Sequence, residues 1–128
     1  MATIKSYTDL EQSKRLAEIL PLESADMAYW KKSYQPNDYA IMAHHTKELQ
    51  EGFEARCIEY IPAWSLVALI SVLPTIDDEF EPQLRRSLDK YRCTYEGEED
   101  SSGLWRVAGN PVDACYEMIL KLHELNLL

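Results

Sequence analysis

The stretch from Pro62 to Pro74 is apolar on nearly every side, which predicts a buried helix at the centre of the fold. Pro62 suits the first turn of such a helix because proline has no N–H, and Pro74 would end it. Large side chains gather on one side of this helix and small ones on the other, so neighbouring elements could cover both sides. A buried strand is the alternative, but the run is long for a strand and its leucines and alanines favour a helix.

Two amphipathic helices are predicted near the ends of the chain. Thr8 and Glu11 have the spacing of a capping box, and the helix that they begin would end at Pro21. Asn110 and Pro111 suit the N-cap and first turn of a last helix. The apolar face of this last helix comprises Val112, Cys115, Tyr116, Met118, Ile119 and Leu122. Both helices offer one face to a common core.

Alternating apolar and polar positions predict a small antiparallel hairpin late in the chain. Lys90 to Glu96 alternates as a strand does, and residues 104–107 return as its partner after a polar connector. Before this hairpin, Leu84 and Leu88 have the spacing of one short helical turn. The hairpin would therefore lie between a helical connector and the last helix.

The middle of the chain has a weaker pattern. Residues 22–30 lack a helical period, which predicts a loop that leads into a short edge strand, and residues 57–61 favour a second short strand. Asn37 is suited to cap a helix that carries His45 and Leu49. A strand from Tyr39 to Met42 is the alternative for the same region.

These elements predict a single α+β domain over residues 1–128, with three main helices around the apolar central one and a small antiparallel β-hairpin. A chain of 128 residues is long enough to bury a core without disulfides or metals. Its 46% hydrophobic and 27% charged residues are typical of an ordinary globular protein.

Charge and hydropathy exclude two classes of partner. The formal net charge is −9, from 22 acidic and 13 basic residues, and such a chain repels a phosphate backbone. The first residues lack the apolar core of a signal peptide, and the run from 62 to 74 is too short to cross a bilayer. We therefore expect a cytoplasmic protein with no direct nucleic-acid binding and no membrane contact.

The cysteines do not indicate a disulfide framework or a zinc site. Cys57, Cys93 and Cys115 are odd in number, far apart and outside any CxxC spacing. They are predicted to be unpaired, small and buried side chains in a reducing compartment.

Three segments carry a resemblance to a known family. LPLESADM at 20–27, WSLVAL at 64–69 with the closing Leu73 and Pro74, and NPVDACYEMIL at 110–120 resemble small uncharacterised proteins encoded by gut bacteria and by their prophages and mobile elements. With the first helix the resemblance covers roughly half of the chain, and residues 28–56 differ most. It implies a bacterial or phage origin, and it transfers no activity, cofactor or site residue.

One group of polar residues could carry chemistry. Glu23 and Asp26 could act as paired carboxylates or as metal ligands together with His44 and His45. The simpler interpretation is that the carboxylates bond backbone N–H groups in the turn after Pro21 and that the histidines are solvated. No catalytic, cofactor-binding or metal residue is therefore assigned, and no cofactor is predicted.

Acidic connectors and unpatterned aromatic residues form a candidate interaction surface. An acidic surface could mimic nucleic acid and occupy a basic groove on a partner, whereas solvated connectors that keep the protein soluble are the alternative. The residues of this surface are Asp77, Asp78, Glu79, Glu81, Glu98, Glu99, Asp100, Tyr29, Trp30 and Tyr34.

The sequence thus predicts a non-catalytic accessory protein that acts through an unidentified protein partner, with the oligomeric state left open. The alternative is a small enzyme or a ligand- or metal-binding domain that uses Glu23, Asp26 and the pair His44 and His45. A bound metal or an occupied polar pocket at the carboxylates would favour the alternative.

Overall fold

The computed structural model describes residues 5–95 and 104–128. These residues form four α-helices and two three-stranded antiparallel sheets, which confirms the predicted α+β class. The chain divides into two compact units, the first from Tyr7 to Ala68 and the second formed mainly by Leu69–Leu128. Each unit has its own sheet.

The first unit contains α1 (Leu10–Ala17), a 3₁₀ turn (Leu22–Ser24), β1 (Met27–Lys31), β2 (Tyr39–Met42), α2 (Lys47–Ala55) and β3 (Tyr60–Ala63). Its three strands form an antiparallel sheet in the order β2–β1–β3. Tyr29 of β1 lies opposite Ile41 on one side and Ile61 on the other, so β1 is the central strand and the predicted edge position is wrong.

The region after β1 follows the alternative of a strand. Tyr39–Met42 is strand β2, and Asn37 lies in the preceding turn with a φ of 61°. Helix α2 begins later, after Thr46, whose hydroxyl accepts a hydrogen bond from the Leu49 N–H at 3.1 Å. The helix capped by Asn37 is therefore wrong, because Asn37 adopts the left-handed conformation that suits a turn.

Helix α1 begins one residue later than the predicted capping box. The box is formed by Asp9 and Gln12, whose side chains accept from each other's backbone N–H at 2.8 and 3.1 Å. Thr8 is fully buried, and its hydroxyl oxygen accepts from the Trp64 N–H at 3.1 Å. A contact far along the chain therefore takes the hydroxyl that the local pattern assigned to the cap.

The predicted central helix is shorter than expected and is exposed on one side. Pro62 lies in β3 opposite Ala28, where an edge strand tolerates a missing N–H, and α3 (Leu66–Val72) begins only afterwards. Val67 is 73% exposed and Ile70 is 40% exposed, whereas Leu69 is fully buried. The apolar run is thus a buried strand end followed by a half-exposed helix, and the expectation of a helix covered on all sides is wrong.

The second unit contains β4 (Pro82–Ser87), β5 (Lys90–Tyr95), β6 (Trp105–Ala108) and α4 (Pro111–Glu124). Its strands form a sheet in the order β4–β5–β6, and α4 covers one face of that sheet. Strands β5 and β6 pair antiparallel as predicted, but β4 pairs with the other side of β5, so the predicted two-stranded hairpin is part of a three-stranded sheet. Helix α4 has the predicted cap, with Asn110 accepting from the Asp113 N–H at 2.8 Å. Along its predicted apolar face, the side chains other than Tyr116 are buried.

The predicted helical turn at Leu84 and Leu88 is wrong. Leu84 lies in β4 opposite Cys93 of β5, and Leu88 lies in the tight turn between the two strands with a φ of 57°. A spacing of four residues fits both a helical turn and a strand that ends in a turn. The pairing of β4 with β5 selects the strand, and the residue pattern within β4 does not show this pairing.

Candidate functional site

A polar cavity of about 460 Å³ lies in the first unit, between the 3₁₀ turn and the start of α2. Glu23 and His45, which the sequence grouped as candidate chemistry, both line it. The other lining residues are Leu22, Thr46, Lys47, Gln50, Glu51 and Glu54. The cavity therefore combines three carboxylates with one ammonium group and one imidazole.

His45 is held in place by a tyrosine. Its Nδ1 lies 2.7 Å from the Tyr60 hydroxyl, and the ring of Phe53 lies 5.4 Å from the ring of Tyr60. Burial lowers the pKa of His45 from its ordinary 6.5, although the Leu22 carbonyl opposes this shift, and burial raises the pKa of Tyr60 to about 12. Near neutral pH an uncharged imidazole and a protonated tyrosine therefore share this hydrogen bond.

Asp26 and His44 do not join this cavity. The Asp26 carboxylate accepts from the Ser65 backbone N–H at 2.8 Å and from the Ser65 hydroxyl at 2.5 Å, which fixes the start of α3. His44 is exposed. In the parts of the chain that the structure describes, no group of three His, Cys, Asp or Glu residues could hold a metal ion. The structure thus brings Glu23 and His45 to one cavity, whereas Asp26 and His44 do not line it.

The acidic connector before β4 is a tight turn. Ile76 and Phe80 exchange backbone hydrogen bonds of 2.8 and 2.9 Å, and the side chains of Asp77, Asp78 and Glu79 between them are exposed. Asp77 and Asp78 have φ values of 53° and 55°, in the left-handed region. The remaining acidic candidates differ: Glu81 is exposed after the turn, and Glu98, Glu99 and Asp100 lie outside the described residues.

Two of the three aromatic candidates have structural partners. The Tyr29 hydroxyl donates to the Thr8 carbonyl at 2.8 Å, and the ring of Trp30 lies 5.7 Å from the ring of Phe53. Tyr34, in the connection between β1 and β2, is fully exposed. Of this predicted aromatic segment, Tyr34 is the residue that offers its whole side chain to a partner.

Sequence reasoning missed a basic face on the second sheet. The described strand residues of β4, β5 and β6 include no acid, and their basic residues are Arg85, Arg86, Lys90, Arg92 and Arg106. Strand register places three of these on the side away from α4, in rows made of Ser87 and Lys90; Arg85, Arg92 and Val107; and Gln83, Thr94 and Trp105. We call these rows the basic sheet face. Within β5 the basic residues Lys90 and Arg92 alternate with other residues, a signal present in the sequence.

The cysteines are free thiols in two different environments. Cys93 of β5 and Cys115 of α4 are buried and hydrogen-bond to each other, whereas Cys57 is exposed after α2 with a φ of 59°. The hydrogen bond with Cys93 and burial both raise the pKa of the Cys115 thiol. The prediction of unpaired cysteines is confirmed for these described residues, and the prediction that all three are buried is wrong for Cys57.

The chain has no match among family models, curated proteins or solved structures. Within residues 5–95 and 104–128, no helix combines the length and the apolar character needed to cross a membrane.

Proposed function

We propose that this chain is a non-catalytic accessory protein that acts by binding a protein partner, and that the acidic turn between Ile76 and Phe80 contacts a basic groove of that partner. Three exposed carboxylates on one turn closed by two backbone hydrogen bonds are the observation that supports the proposal. The resemblance noted in the sequence leads us to propose that the chain is an accessory protein of a bacterial mobile element.

The turn requires a backbone conformation, and it does not require charge. A left-handed residue other than glycine costs about 1 kcal/mol, and Asn adopts this conformation as readily as Asp. Asp77 and Asp78 therefore add mutual repulsion that an uncharged pair of similar shape would avoid. Negative charge at an exposed site speeds encounter with a positive groove, because opposite fields steer the two proteins together.

The matched test removes charge and keeps shape. Asp77→Asn combined with Asp78→Asn is compared with Glu117→Gln combined with Glu124→Gln, which removes two charges from the exposed side of α4. A partner captured by cross-linking in cells that express the protein is purified, and its association rate is measured at low and at high salt. We expect the turn variant to associate several-fold more slowly at low salt, with a smaller difference at high salt, because salt screens surface charges.

Equal association rates for the wild type and the turn variant at low salt would refute the acidic turn as a contact. Equal slowing in both double variants would show that net charge alone matters. The melting temperature of each variant is the folding control, and exposed charges should change it little.

A second candidate function is small-ligand binding at the polar cavity, favoured because Glu23 and His45 line the same space. With Glu51 and Glu54 also present, the cavity suits a cationic amine. Calorimetric titration with a diamine tests it, and Glu23→Gln with Glu51→Gln should remove the heat of binding. A titration without heat in the wild type would reject this candidate.

A further inference from the structure

We infer that the basic sheet face is a second interaction surface, and that its occupant is an acidic, extended segment of a partner protein. The strands carry basic residues and no acidic ones among the described positions, within a chain whose net charge is −9. Trp105 and Val107 on the same face are 45% and 46% exposed. The face therefore combines local positive charge with apolar contact area, which goes beyond the acidic turn proposed above.

Arg92 is the centre of the face. Its guanidinium carbon lies 5.4 Å from the centre of the Trp105 ring, so the indole holds the guanidinium by a cation–π contact. The Arg92 Nε is buried, and it has no hydrogen-bond acceptor among the residues that the structure describes. A partner carboxylate could instead reach the terminal nitrogens of the guanidinium and accept from two N–H groups together, a bidentate geometry that arginine favours.

The free edge of β6 favours an extended occupant. The Tyr95 N–H donates to the Leu104 carbonyl at 3.0 Å, and the alternation of an antiparallel pair then directs the N–H and C=O groups of Trp105 and Val107 away from β5. No described strand pairs with that edge. The Arg106 guanidinium donates to the Trp105 carbonyl at 2.6 Å, so an added strand would exchange this contact for a backbone hydrogen bond.

The borders of the face favour a short acidic peptide over a nucleic acid. Acidic residues flank the strands, at 77–81 before β4 and at Asp89 in the turn between β4 and β5. A phosphate backbone that extends beyond the strands would meet these carboxylates, whereas a short acidic segment can end within the face. Each further phosphate adds repulsion that a peptide of limited length avoids.

The test uses a short synthetic peptide that alternates glutamate and valine, with its ends blocked. Its binding to the whole protein is measured at low salt by calorimetry and by amide chemical shifts. The comparison probes are the same peptide with lysine in place of glutamate, and an oligothymidylate of equal length. We expect the glutamate peptide to bind and to shift the amides of Trp105 and Val107, because it adds a strand at that edge.

Two arginine variants separate the face from the overall charge. Arg92→Lys keeps the charge and loses the planar fork, so binding should weaken by roughly tenfold, the value of one charge-assisted bidentate pair. Arg86→Gln removes a charge from the side of the sheet that faces α4 and should leave binding nearly unchanged. Since Arg92→Lys is a mild change, its melting temperature should match the wild type. Trp105→Leu is a second variant that should also weaken binding.

Four outcomes would overturn the inference: no binding of the glutamate peptide at low salt, equal binding of the lysine peptide, tighter binding of the oligothymidylate, or equal weakening by Arg86→Gln and Arg92→Lys. Tighter binding of the oligothymidylate would assign the face to single-stranded nucleic acid. Each of these results leaves the acidic turn untested and unaffected, because that turn carries the opposite charge and is probed with its own variants.

Discussion

A buried hydroxyl pair in the first unit should contribute more to stability than its size suggests. Thr8 and Ser13 are both fully buried, and their hydroxyl oxygens lie 2.8 Å apart. The Ser13 hydroxyl donates to the Asp9 carbonyl at 2.7 Å, so the proton between the two hydroxyls belongs to Thr8. Thr8 therefore donates to Ser13 and accepts from the Trp64 N–H at 3.1 Å.

Thr8→Val keeps the shape of the side chain and removes both hydrogen bonds. The Trp64 N–H loses its acceptor and the Ser13 oxygen loses its donor, and an unsatisfied buried group costs about 1–3 kcal/mol. We expect a loss of about 2–4 kcal/mol in the free energy of unfolding. Thr8→Ser keeps the hydroxyl and removes one buried methyl group, which should cost about 1 kcal/mol.

Urea unfolding followed by circular dichroism measures these differences. With a slope of about 1–3 kcal/mol per molar urea, Thr8→Val should lower the midpoint by about 1 M or more. Ser13→Ala combined with Thr8→Val should cost less than the sum of the single changes, because the second change removes a group that has already lost its donor. A Thr8→Val protein as stable as Thr8→Ser would refute the hydrogen-bond argument, as would strict additivity.

Three further predictions concern burial and titration. Leu69→Ala should lower the free energy of unfolding by about 2–5 kcal/mol, and Val67→Ala on the exposed side of the same helix by much less, in urea melts. A thiol reagent should modify Cys57 at once and Cys115 only in denaturant, while reductant and chelator leave the melting temperature unchanged. Because burial lowers the folded-state pKa of His45 below its ordinary 6.5, its contribution to stability is full above pH 6.5 and is lost as the pH falls through the folded pKa. Melting temperatures of His45→Asn should therefore fall less than those of the wild type between neutral and mildly acidic pH, and equal falls would contradict the shift.

Local signals predicted the elements whose decisive contacts are local. Asn110 caps α4 through a hydrogen bond three residues away, and the alternating residue types of β5 predicted a strand although burial along it does not alternate. Thr8 failed as a cap because its partner is Trp64, 56 residues along the chain. Pro62 failed as a helix start because a buried strand end and a buried helix have the same apolar composition, and pairing with β1 decides between them.

The candidate site was predicted in part for the same reason. Glu23 and His45 were grouped by residue type alone, and the fold brings them to one cavity. Asp26 has the same chemistry, but Ser65 provides it with two donors, so it serves the start of α3. Residue type indicates what a side chain can do, whereas its partners, which depend on distant segments, decide what it does.

Net charge is a poor guide to the basic sheet face because charge acts over two different ranges. The value of −9 describes the field at distances near or beyond the screening length, which is about 10 Å at 0.1 M salt. At contact distance, the register that places Arg85 beside Arg92 matters more, although they are seven positions apart along the chain. A partner would thus approach a protein that repels anions overall and would meet cations only when it docks on this face. The overall negative charge slows the binding of long polyanions more than that of a short acidic segment. It therefore favours the short segment as the ligand of the basic sheet face.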